Sequence, residues 1–168
     1  MSYDILYLFF ENLMVMHIGT EYWCDRYEII TENKGAVMVR SELREHIFKM
    51  LFQIEFNSAE EMPEHVNLYF DELSEAKESE LSYIRDKYQA IADRVSEIDE
   101  MLNEKTTGWK TGRMNKVDLT ILRLAVYEIL WDDDIPSSVA INEAVVLAKK
   151  FSGEDGPSFV NGVLAKFV

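Results

Sequence analysis

A single cysteine, Cys24, stands in 168 residues. A lone thiol excludes an intramolecular disulfide framework and any multi-thiolate zinc site, and it suits a reducing compartment. Proline and glycine are also scarce, at 3 and 7, so long stretches run without a breaker, which favours helices over a turn-rich sandwich. The three histidines, His17, His46 and His65, lie far apart and have no partner one helical turn away, so no metal site is expected. The chain has no Walker-type phosphate loop, dinucleotide glycine fingerprint or nucleophile elbow. It is therefore expected to be no enzyme and to carry no cofactor. The apolar stretch Ile5 to Phe10 follows Asp4 and ends at Glu11 and Asn12. That is too short to span a bilayer, and it lacks the basic start and small-residue cleavage site of an export signal, so a cytoplasmic protein is expected. Positive charge is short as well, with 17 Lys and Arg against 31 Asp and Glu and a net charge of −14. Phosphate contacts need clustered cations, which weighs against nucleic-acid binding by the chain as a whole, although an average hides local patches and a basic partner can share the contact.

What is present is apolar and periodic. Hydrophobic residues make up 48% and charged residues 29%, the balance of a soluble globular protein with room for one domain and a short appendage. From Met38, Leu43, Ile47, Met50, Leu51 and Ile54 recur at helical spacing until Asn57 and Ser58 interrupt. A second amphipathic segment, Glu60 to Leu73, starts near Pro63 and carries Val66, Tyr69, Phe70 and Leu73. A third, Ser79 to Leu102, aligns Leu81, Ile84, Tyr88, Ile91, Val95, Ile98 and Met101 on one stripe and leaves Glu80, Asp86, Asp93 and Glu97 for solvent. Lys105 to Arg113, with Gly108 and Gly112, reads as a loop.

Asn115 reads as the cap of the next helix, with Asp118 in its first turn. Leu119 through Leu130 put apolar residues on nearly every side of that helix, so it is expected to be central and buried. Asp132 to Asp134 and Pro136 end it, and Ser137 or Ser138 caps a helix of small residues. Past Gly153, Asp155 is expected to cap a last helix with Pro157 in its first turn. The periodicity thus predicts an all-α bundle.

The C-terminal half also carries specific blocks: Ile121-Leu-Arg-Leu-Ala-Val-Tyr-Glu128, Val139-Ala-Ile-Asn-Glu-Ala144 with Leu147-Ala-Lys149, and Phe159-Val-Asn-Gly-Val-Leu164. In this order and spacing they resemble the NusB family of transcription antitermination factors, and Arg40 and Arg44 before an apolar helix add the family's basic start. The resemblance covers about Met38 to Val168. It implies a NusB-like bundle of about seven helices in two packed subdomains. It also implies binding of boxA-type RNA of ribosomal RNA operons, together with NusE, a small-subunit ribosomal protein, within the RNA polymerase antitermination complex.

By the same resemblance, Arg40, Arg44, Asp155 and Phe159 fall at RNA-surface positions, and Phe52 and Asp118 at positions of the NusE face. Arg40 and Arg44, one turn apart, are expected to offer forked donors to phosphate or a base edge. Each residue also has an ordinary reading: solvated arginines, a core Phe52, a core Phe159, and helix-start carboxylates at Asp118 and Asp155. Asn142 and Asn161 read as amides that hold helix ends. A second functional reading is a protein-interaction module without RNA binding, like the NusB-like domain of certain RNA methyltransferases, which would need a catalytic domain beyond Val168. A third is a homodimer that hides the RNA face.

Residues 1–37 stand apart, with aromatic and apolar residues crowded near the start and only weak periodicity. The family-like sequence begins abruptly at Met38-Val39-Arg40. Codons for Lys34-Gly35-Ala36-Val37 can read as a bacterial ribosome-binding site just upstream of Met38. The segment is therefore expected to be a dispensable, loosely packed extension, or sequence upstream of the natural start, with residues 38–168 as the RNA-binding domain.

Overall fold

The computed structural model describes residues 37–73, 75–106 and 108–168. Expectations for residues 1–36 lie outside the described residues. The described residues form seven α-helices and no strand: α1 Arg40–Gln53, α2 Met62–Glu72, α3 Glu78–Ala92, α4 Val95–Lys105, α5 Lys116–Trp131, α6 Ser137–Phe151 and α7 Gly156–Leu164, with one 3-10 turn at Thr111–Arg113. None is long and apolar enough to cross a membrane.

α5 is the axis. Asn115 caps it, its side-chain oxygen accepting from the Val117 N–H at 2.8 Å. Every residue from Val117 to Val126 is buried, and α5 packs against α1, α3, α4, α6 and α7. A helix touched from so many sides needs apolar residues around its whole circumference, as its sequence shows. The burial fades at its end, where Leu130, expected inside, is 40% exposed. α5, α6 and α7 pack on one another, while α1 joins α3 and α2 to α5. In α1, Arg44, Ile47, Phe48 and Leu51 form the buried face at positions i, i+3, i+4 and i+7.

Three sequence expectations need correction. The helix expected over Ser79 to Leu102 is two helices, broken at Asp93 and Arg94. There the Arg94 N–H turns to the Ile91 carbonyl at 2.9 Å, and the Arg94 guanidinium reaches the Ala90 carbonyl that a continuing helix would use. The break lets α3 lie on α1 while α4 follows α5. Glu80, assigned to the solvent face, is buried because its carboxylate accepts the N–H groups of Met38 at 2.7 Å and Lys77 at 3.0 Å. Neither Ser137 nor Ser138 caps α6; Pro136 precedes it, with no capping side chain.

Two buried ionic clusters tie the helices. Glu128 of α5 receives Arg44 of α1 and Lys87 of α3, and Lys87 also reaches Asp132 at 2.8 Å. Arg123 of α5 grips Asp99 of α4 with two parallel bonds of 2.8 and 2.7 Å and also holds Glu55. Every buried side-chain polar atom among the described residues has a partner, so neither cluster leaves a charge stranded.

Candidate nucleic-acid interface

Arg40 opens α1 and is exposed, so its guanidinium is available to a ligand. Arg44, one turn later, is 4% exposed. Its Nε donates to the two Glu128 oxygens at 3.0 and 3.1 Å, and Nη1 lies 3.4 Å from Glu143. A fork so engaged is turned inward. The pair expected to act together is split into one surface cation and one core cation. The spacing explains this, because Arg44 shares its face with Ile47, Phe48 and Leu51.

Asp118, in the first turn of α5, is buried, and Ser152 Oγ donates to it at 2.5 Å. Burial pushes the Asp118 carboxyl above the usual aspartate range, and the Ser152 hydrogen bond offsets part of that. Gly156, the first residue of α7, comes so close that a Cβ there would collide with the Ser152 side chain and touch Asp118 Oδ1. Asp118, Ser152 and Gly156 therefore join the start of α5, the end of α6 and the start of α7. This junction fixes the exposed turn 153–155 that carries Asp155. Asp155 precedes α7 but its side chain makes no cap hydrogen bond: its backbone is already helical, at φ −82 and ψ −14, and only its carbonyl bonds Phe159 N–H. A capping side chain needs an extended backbone at that position.

Phe52 is 6% exposed. It sits in a ladder of Phe48, Phe52 and Phe56, with ring centroids 6.0 and 5.1 Å apart. The ladder surfaces at Phe56, 41% exposed, a residue that the sequence reading passed over. Asn142 and Asn161 are exposed, and neither amide holds a helix end among the described residues.

Phe159 is half-buried and meets Trp109 edge to face, with centroids 5.6 Å apart and planes at 61°. Beside them runs a groove of about 220 Å³, which Thr106, Ser158, Gly162 and Lys166 also line. The structure thus leaves Arg40, Asp155 and part of Phe159 at the surface and places Arg44, Phe52 and Asp118 beneath it. Trp109 was missed, yet it stood in a legible stretch: from Lys105 to Val117 there is no acidic residue, while Lys105, Lys110, Arg113 and Lys116 are basic.

Residues 41–168 match the NusB family. The Agathobacter rectalis protein named transcription antitermination protein NusB is 54% identical over 130 residues, spanning 77% of this chain and 99% of that protein. Its namesake from Lachnoclostridium phytofermentans is 47% identical over 131 residues, spanning 78% and 99%. Among solved structures, a crystal form of T. maritima NusB is similar, with a TM-score of 0.69 and 32% identity over 79% of this chain and 92% of that one.

Proposed function

This chain belongs to the NusB family, and from that premise we propose that it is a transcription antitermination factor. It binds boxA-type RNA of ribosomal RNA operons jointly with the ribosomal protein NusE, as part of the RNA polymerase antitermination complex, in the cytoplasm. The observation that carries the reading is the match along nearly the whole length of a relative bearing that name. The role is one of binding and bridging, without catalysis.

In this reading the surface residues act directly. Arg40 offers a cation to phosphate. Phe159 gives an unpaired base an aromatic face, and Asp155 sits on the fixed turn that borders it. Phe52, beneath the surface, backs the aromatic ladder, whose Phe56 reaches solvent and supplies an apolar contact for NusE. Arg44 and Asp118 work from below, the first holding α1 to Glu128 and the second holding the turn that presents Asp155. The chain's excess of acid suits a basic protein partner, and that partner adds cations which this chain has in short supply. The test is co-elution of the chain, NusE and a boxA-like RNA as one complex in size-exclusion chromatography. A scrambled RNA should stay behind; equal co-elution of both RNAs would remove the boxA part of the reading.

A further inference from the structure

The groove beside Phe159 has a second aromatic wall that the reading above does not use. Trp109 is 56% exposed, unusual for the largest side chain. It is nevertheless held in place. Gly108 before it adopts φ +84, a conformation that turns the chain sharply and suits glycine. The Thr106 hydroxyl lies within hydrogen-bond distance of the Trp109 and Leu102 carbonyls. On the far side, Asn103 takes Thr111 by two bonds, accepting from its N–H at 2.8 Å and donating to its hydroxyl at 3.1 Å. An exposed indole on a backbone fixed at both ends is prepared for a ligand, since little further ordering is needed on binding.

The surroundings indicate the ligand's chemistry. Lys166 lines the groove, Lys110 and Arg113 follow Trp109 within four residues, and these three and Lys105 are exposed and pair with no carboxylate among the described residues. Lys105 and Lys166 cross-link the end of α4 to the tail after α7, each ammonium donating to the other's carbonyl at 2.8 and 3.0 Å. An ammonium has three protons, so both keep donors for a second acceptor. A concentration of unpaired cations in a chain of net charge −14 complements phosphate. At about 220 Å³, the groove is smaller than the roughly 300–1,000 Å³ of small-molecule pockets. The 61° angle between the rings makes a corner, in which a flat group lying on one ring meets the edge of the other.

We propose that the corner between Trp109 and Phe159 seats one unpaired nucleobase of single-stranded RNA, with Trp109 as the stacking platform and Lys110, Arg113 and Lys166 on the flanking phosphates. This rests on the RNA-binding reading and extends it to a part of the surface formed by the α4–α5 connection. Base–aromatic stacking tolerates any base, so the corner contributes affinity and register more than sequence choice.

The probe is a fluorescently labelled boxA-like RNA, titrated with the full chain in the presence of NusE. Trp109→Ala should weaken binding roughly five- to 150-fold, the range for one lost stack, while Trp109→Phe keeps most of the affinity. Thermal unfolding of both variants should match the wild type, because the indole is largely outside the core. RNA should also quench the intrinsic emission of the wild type more than that of Trp109→Phe. If Trp109→Ala binds like the wild type while Phe159→Ala binds weakly, the seat is wrong and the antitermination reading stands. If Trp109→Ala loses NusE but leaves RNA binding by the chain alone unchanged, the corner belongs to protein and the proposal falls. If the wild type binds no boxA-like RNA even with NusE, the functional reading fails and takes this inference with it.

Discussion

The Nε of Arg44 is shared between the two carboxylate oxygens of Glu128, at 3.0 and 3.1 Å, and the two side chains are only 5% and 1% exposed. Glu128 also holds Lys87 at 2.9 Å. Removing Arg44 leaves the buried Glu128 with Lys87 as its remaining cation, and Lys87 is shared with Asp132. Arg44→Ala should therefore lower stability by about 3–5 kcal/mol, read as a lower urea midpoint. Had Arg44 been a surface contact, the variant would keep its stability and lose only RNA affinity. Glu128→Gln should also destabilise, since burial opposes the charge on Lys87 and its carboxylate neighbours outweigh that effect to hold its pKa up.

His46 gives the pH dependence a specific source. Its Nδ1 is 2.7 Å from the Tyr69 hydroxyl. Burial, helped by the Lys49 charge, lowers its pKa from 6.5 to about 4. A folded histidine that resists protonation binds fewer protons than the unfolded one between these values, so folding is favoured above 6.5 and loses that contribution as pH falls toward 4. Ring proton shifts followed by NMR should show His46 titrating near pH 4. A midpoint near 6.5 would contradict the half-buried, neutral ring.

Gly156 is required by proximity rather than by backbone freedom. Gly156→Ala forces a methyl into Ser152 and should cost about 1–3 kcal/mol. Ser152→Gly in the same chain should return part of that loss. The melting temperatures of the two variants decide the matter, and an unperturbed single variant would show that the junction yields.

Residues 38–168 should fold and bind without residues 1–37. The similarity to the Agathobacter rectalis protein takes in 99% of that protein with 77% of this chain, and the core named above lies within α1 to α7. A chain beginning at Met38 should melt within a few degrees of the full chain and keep its RNA affinity. A clear loss of either would mean that the extension is a working part.

The helical order was legible because its signals are local: apolar spacing, the Asn115 cap and the breaks at Asn57 and Pro136 all come from neighbouring residues. The break at Arg94 was not, since no glycine or proline marks it and it depends on where Ala90 and Ile91 offer their carbonyls. The site was legible as residue types but not as exposure. Arg44 and Asp118 look like surface charges until Glu128 and Ser152, distant in sequence, arrive to bury them. For Trp109 the basic stretch around it was legible, but only its contact with Phe159 of α7 shows that a loop tryptophan forms a wall.

Joint RNA binding with a basic partner is tested by a titration of boxA-like RNA at several salt concentrations, with and without NusE. This acidic chain should bind weakly alone, with tighter binding and a steeper fall of affinity with salt once NusE adds its phosphate contacts. Affinity and salt slope that do not change on adding NusE would contradict it.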